Sequence, residues 1–239
     1  MDEEKNALKA KVTAEIDRLR EELVGLSLKL HSNPELSFEE IKAAGWLTEY
    51  LEEKGFVVER GFCQLSTAFK ASYGKVKPVI AFVAEYDAMA GTGHSCGHNL
   101  IAASSLGAAV ASKIAVDLFG GQVTVLGTPG EERIGGKVIM LRRGGFAGLD
   151  VVMKTHPSRK NVLVLSMLAR EIINVEYQGK EASALNPEGS ANALEAMLLA
   201  FENINSLRRY LKRGAWINGI ITDGGKVPQV IPAHSSGSF

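Results

Sequence analysis

The chain has 239 residues, 46% of them hydrophobic, with 27 Lys+Arg against 27 Asp+Glu and a formal net charge of zero. This is apolar material for one large or two smaller domains, and the charge balance gives no bulk attraction to nucleic acid or to an anionic membrane. The charged start MDEEKNALKAK is not a signal peptide, no apolar run approaches the ~20 residues that span a bilayer, and Cys63 and Cys96 alone make no disulfide framework. A cytoplasmic protein with reduced thiols is therefore expected.

Helical periodicity opens the chain, with Leu8, Val12, Ile16, Leu19, Leu23, Leu26 and Leu30 near one face. The stretch HSNPELS interrupts it. Ser37 and Glu40 have the spacing of a capping box for a helix through Ile41, Ala44, Leu47 and Leu51, which Gly55 ends. FVVE and TAFKASY predict short strands. PVIAFVA (78–84) is a continuous apolar run of strand length, and residues 98–116 are Ala- and Leu-rich enough for a buried helix. GQVTVLGT (121–128) predicts a strand, 135–145 a short helix bracketed by glycines, and LDVVMKTH (149–156) a further strand. Apolar strands alternating with helices predict an α/β domain whose largely parallel sheet is flanked by helices.

After residue 167 the pattern changes. Ile173, Val175 and Tyr177 alternate with Ile172, Asn174 and Glu176, as in a strand with one wet face. Residues 189–211 predict an amphipathic helix, and AWINGIITDGG and QVIPAHSSGSF predict strands. The β-α-β-β order predicts a small α+β layer. The expected division is 1–167 and 168–239. The last strand runs into Phe239 without a closing element, so this second fold is expected to be incomplete here.

In open α/β sheets ligands bind beyond the carboxyl ends of the strands. Just past the first apolar strand lie Glu85 and Asp87, then GHSCGHN at 93–99. Past the second come Glu131 and Glu132, and past the third His156. Carboxylates, imidazoles and a thiol thus gather at one end of three strands. Cys, His and Glu supply the S, N and O donors that suit zinc or a neighbouring transition metal. Cys96 and His98 are close enough to share one ion or touch two. In a locally extended chain Glu131 and Glu132 point to opposite sides, so that one binds metal while the other takes a proton from the attacking water.

Singly, each residue has a plainer reading. Cys96 reads as a small buried apolar residue, His94 and His98 as loop histidines, and the Glu131–Glu132 pair as a solvated turn before a helix. Asp87 reads as a loop brace, and His156 as the residue before a turn at Pro157. Jointly, at strand ends and in glycine-rich loops, they favour a metal site. A Cys–His nucleophilic dyad ranks below it, because neighbouring carboxylates raise a thiol's pKa.

The stretches AEYDAMAGTGHSCGHNLIAASSLGAA, LGTPGEERIGGKVIM and GFAGLDVVMKTHPS, with the helix and strands after residue 189, resemble the zinc-dependent aminoacylase/carboxypeptidase superfamily of amidohydrolases. The resemblance runs from about Ile16 to Pro232. Asn99, in CGHN, points to its β-alanyl-lysine dipeptidase-like and aminobenzoyl-glutamate hydrolase-like branch. It implies a zinc exopeptidase-like catalytic domain with an inserted α+β lid beginning near Leu168, the lid commonly mediating a homodimer. It implies Cys96, His98, Glu132 and His156 as metal ligands, Glu131 as general base and Asp87 as the acidic residue supporting the site. Zinc is implied, as one or two ions, with manganese or cobalt as alternatives. The substrate implied is a small dipeptide or N-acyl amino acid, with no nucleic-acid or membrane partner.

Two departures stand out. Ser183 occupies the place of a lid histidine that helps bind substrate, and losing one such donor costs ~10²–10³ in rate. The resemblance also implies a further histidine ligand beyond Phe239. His234 does not replace it. A rival expectation is therefore a truncated or degenerate, non-catalytic pseudo-enzyme acting as an interaction or dimerisation module.

Overall fold

The computed structural model of the chain describes residues 2–133, 135–163 and 168–239. It divides into two compact units, Met1–Asn161 and Val162–Phe239. The domain boundary expected at Met167 lies outside the described residues.

The first unit opens with α1 (Asp2–Arg18) and α2 (Arg20–His31), so the single long helix expected is interrupted at Leu19. The apolar stripe nevertheless holds: Leu19, Leu26 and Leu30 are buried. α3 (Ile41–Glu53) buries Ala43, Leu47 and Leu51, one residue per turn. Ile41, expected on that face, is 74% exposed. The expected capping box does not form. The Glu35 carboxylate accepts the Lys42 and Ala43 N–H groups at 3.1 and 2.9 Å, while Ser37 and Glu40 turn to other partners. Gly55, at φ 82°, ends the helix as expected.

The central sheet contains β1 (Val57–Arg60), β2 (Phe69–Gly74), β3 (Val79–Ala84), β4 (Gln122–Gly127) and β5 (Val151–Met153) in the order β1-β2-β4-β3-β5. β3 is parallel to β4 and to β5, and β2 is antiparallel to both of its neighbours. Four of the five strands therefore run the same way. β5 is shorter than the expected 149–156 strand and lies at the sheet edge, with Val151, Val152 and Met153 exposed.

Strand alternation divides the core. Val123 and Val125 join the cluster of Leu47, Leu51, Leu106 and Val110, whereas Leu126 packs with Met140 and Ala68. Burying each such leucine stabilises the fold by about 1.5–3 kcal/mol. Met140 belongs to the short α5 (Gly136–Arg142). α4 (His98–Phe119) buries Ile101, Ala102, Leu106, Ala109 and Val110. It is long and apolar enough by length and composition to cross a membrane, contrary to the expectation that no segment is, yet its buried face belongs to this core.

The register positions the site. Ala84 pairs with Gly127 and Phe82 with Met153, so residues 85–87, 128–132 and 154–156 leave the sheet at one end.

The second unit holds β6 (Asn174–Gln178), β7 (Ala182–Ser183), α6 (Ala193–Leu207), β8 (Ile220–Asp223), β9 (Val230–Ile231) and β10 (His234–Ser238). An antiparallel sheet β6-β10-β8 gives the expected β-α-β-β order, and β7 with β9 adds a short ribbon. Asn192 caps α6 by accepting the Leu194 and Glu195 N–H groups. Buried Met197 and the Phe201–Phe239 ring pair, centroids 4.7 Å apart, pack this unit.

Candidate metal centre and active site

His98 is the first residue of α4 and is buried, 1% exposed. The turn before it needs Gly97, whose φ is 76° and where a Cβ would stand 2.9 Å from the Pro157 ring. His98 Nδ1 lies 2.8 Å from the Asp87 backbone oxygen and 2.9 Å from Asp87 Oδ1. Both can only accept, so Nδ1 carries a proton and donates it. The other ring nitrogen, Nε2, is buried and has no hydrogen-bond partner among the described residues. Facing it are Glu85 Oε2 at 3.7 Å, Glu131 Oε2 at 3.8 Å and Glu132 Oε1 at 3.8 Å. These separations exceed hydrogen bonds and approach the ~3.3–3.5 Å between ligands on one ion with ~2.0–2.1 Å bonds at a tetrahedral angle.

Asp87 braces this arrangement. Its Oδ2 accepts from Ser37 Oγ at 2.8 Å and from the Glu132 N–H at 2.9 Å, while Oδ1 holds His98. Burial works to raise its pKa, but the His98, Glu132 and Ser37 hydrogen bonds prevail and hold it at about 2. For His98 burial works downward, yet Asp87 and Glu85 outweigh it and raise its pKa. Glu40, just before α3, performs a matching task for the loop that carries Glu131. Fully buried, it accepts the Phe38 N–H at 2.9 Å, the Gly130 N–H at 2.8 Å and the Thr67 hydroxyl at 2.8 Å. It thereby anchors the backbone immediately before Glu131.

Among the described residues two convergent donor groups result, Glu85–His98–His156 and His98–Glu131–Glu132, each with ligand atoms within 4.8 Å of one another. Both carboxylates of the glutamate pair reach His98 because residues 131–133 form a turn. The extended segment that would send them to opposite sides is not present, and this corrects the expectation. The exposed His156 ring meets His98 edge-on, centroids 6.2 Å apart. Its Nδ1 is 2.8 Å from the Pro157 carbonyl, which again leaves Nε2 with the lone pair.

Cys96 stands beside these groups and in neither of them. Its Sγ is 3.4 Å from Met89 Sδ, and the adjoining Glu132 carboxylate, followed by burial, pushes the thiol up to about 11. A cavity of about 550 Å³, lined by His31, His94, Cys96, His156 and Arg159, opens there. His94 is buried and stacks on His31 with centroids 6.5 Å apart. The Cys, His and Glu donors and the orphaned Nε2 fit a bound divalent metal.

Sequence reasoning left Glu85 without a role and missed Lys137, Lys154 and Glu40. Glu85 is fully buried, and its Oε1 accepts from the ammonium groups of Lys137 and of Lys154, the latter at 2.6 Å. Burial would raise the Glu85 pKa, but the lysines hold it below the ordinary value. The apolar run before Glu85 was a usable signal. None marks Lys137 or Lys154, which lie 52 and 69 positions along the chain.

This chain is 38% identical over 244 residues to mouse Xaa-Arg dipeptidase, covering 95% of the chain and 56% of that protein. It is 33% identical over 242 residues to a p-aminobenzoyl-glutamate hydrolase subunit of Escherichia coli, covering 92% of the chain and 50% of that protein. A solved Bacillus subtilis structure, described as a dinuclear metal binding peptidase from the M20 family, shares the fold with a TM-score of 0.55 at 20% identity, over 95% of this chain and 64% of that one. These relatives support the resemblance to the aminoacylase/carboxypeptidase superfamily of amidohydrolases. The chain spans about half the length of the curated relatives it matches. No family model matches it.

Proposed function

We propose that the protein is a metal-dependent amidohydrolase that cleaves the amide bond of a small dipeptide or N-acyl amino acid. The observation that carries this reading is His98 Nε2, buried, faced by three carboxylates and without a hydrogen-bond partner among the described residues. The dipeptidase and hydrolase relatives support it. A divalent ion bound there would supply Lewis acidity, polarising a carbonyl and lowering the pKa of water from 15.7 towards ~7.

The chain's own residues supply the rest. Asp87 fixes the His98 tautomer and, through the Glu132 N–H, the glutamate turn. His98 and Glu132 would hold the ion, with Cys96 and His156 as further candidate donors. Glu131 takes the proton of the attacking water and delivers it to the departing amine. Mixed S, N and O donors favour zinc, with manganese and cobalt as alternatives. The unit Val162–Phe239 is assigned the role of lid and dimer contact. Two free thiols support a cytoplasmic setting.

Glu131→Gln is expected to lower turnover of a dipeptide panel by at least ~10²-fold while bound metal stays constant. Undiminished turnover removes Glu131 from the mechanism. The second reading, a non-catalytic interaction module, draws on Ser183, whose short hydroxyl accepts the Leu185 N–H at 3.3 Å. Full metal occupancy without hydrolysis of any panel member would favour it.

A further inference from the structure

We infer that the site takes one divalent cation per chain, between His98 Nε2 and the Glu131–Glu132 turn, and that the ammonium groups of Lys137 and Lys154 stand at Glu85 in place of a second. This rests on the reading of the cluster as a metal site. Both convergent donor groups include His98. Its Nδ1–H is committed to Asp87, at 2.8 Å to the backbone oxygen and 2.9 Å to Oδ1. Only Nε2 has a lone pair to give, and one imidazole nitrogen serves one ion. Two ions at once would leave one of them with either the Glu131–Glu132 turn or the Glu85–His156 pair, without His98.

The Glu85 side is already occupied electrostatically. Glu85 is 0% exposed, and two lysines from different segments converge on its Oε1: Lys137 from α5 and Lys154 from the residue after β5. Both ammoniums bond Oε1, and Oε2 has no hydrogen-bond partner among the described residues, but a carboxylate shared by two ammoniums is a net positive centre that repels a second dication placed beside it. His156, the other member of that side, is exposed and offers little compensation.

The charge count agrees. Asp87, Glu85, Glu131 and Glu132 as carboxylates, with Lys137 and Lys154 as ammoniums, leave two negative charges in the cluster. One divalent ion neutralises them. Two would invert the sign of a half-buried cluster, which is unfavourable without further anionic ligands.

The test strips the protein with chelator, dialyses it to equilibrium against zinc and measures metal per chain by mass spectrometry, with circular dichroism confirming the fold. One zinc per chain is expected, and two would overturn the inference. Glu85→Gln should retain that zinc, with affinity changed by less than the ~10–100-fold that loss of even an outer partner can cost. Loss of ~100-fold or more would place the ion on Glu85 and overturn the inference. Lys137→Met with Lys154→Met should admit a second zinc. A folded double variant that still holds one would overturn the role given to the lysines, and if it does not fold the other two arms decide. No zinc on the wild-type chain would reject the metal reading itself, a result distinct from two.

Discussion

Glu40 gives the sharpest test of how the site loop is held. Its carboxylate, 0% exposed, accepts three donors from three segments: Phe38 N–H, Thr67 Oγ and Gly130 N–H, at 2.9, 2.8 and 2.8 Å. Glu40→Ala leaves these donors buried and unpaired at about 1–3 kcal/mol each. The Thr67 hydroxyl can rotate towards another acceptor, so the expected loss is ~3–5 kcal/mol, a large part of the ~5–15 kcal/mol that holds a typical domain. Glu40→Gln should cost under ~1 kcal/mol, because an amide oxygen accepts both N–H groups and its NH₂ donates to the Thr67 oxygen. Burial, opposed by the Phe38, Thr67 and Gly130 bonds, raises the Glu40 pKa above the ordinary 4.5. The folded chain therefore binds this proton more tightly than the unfolded one. Its contribution is fully present below pH 4.5 and is lost as pH rises through the raised folded value. Urea unfolding of wild type and both variants from pH 4 to 8 measures all of this. The wild type should lose stability relative to Glu40→Gln as pH rises above ~4.5. Equal pH slopes for these two, or a Glu40→Ala loss below ~1 kcal/mol, would refute the reasoning.

Other tests reach the surroundings of the site. Asn99 is buried and its Nδ2 donates to Ser27 Oγ at 2.9 Å and to the Ser27 carbonyl at 3.4 Å. Asn99→Asp turns that donor into a second acceptor and should cost ~1–3 kcal/mol, read as a lowered urea midpoint with an unchanged slope. Divalent metal at ~100 times its dissociation constant should stabilise the protein by ~2.7 kcal/mol, a rise in Tm of several degrees that EDTA reverses. His98→Ala should abolish that rise, and a rise that survives would place the ion elsewhere.

Much of the fold is legible in the chain because its signals are local. The runs PVIAFVA and GQVTVLGT become β3 and β4, and the Ala- and Leu-rich stretch after His98 becomes α4, since a strand buried on both faces must be apolar throughout. The same runs place Asp87, His98, the glutamate pair and His156 at one end of the sheet, because parallel strands in register release their following loops together. Where local signals had two outlets, tertiary contacts chose. The Ser37–Glu40 spacing suits a cap, yet Ser37 is drawn to Asp87 and Glu40 to Gly130, because buried donors around them need an acceptor more than an exposed helix end does. Glu131 and Glu132 look like alternating neighbours, yet the turn brings both to one nitrogen.

The sequence by itself determined the residue types of the site and the strand ends that carry them. It did so because hydrophobic periodicity and donor chemistry are properties of short stretches. Only the tertiary structure decided which atoms meet: that His98 spends Nδ1 on Asp87, that Nε2 faces three carboxylates, and that Lys137 and Lys154 close on Glu85. Such pairings join positions dozens of residues apart, and their energies depend on burial and distance, which exist only once the sheet has formed.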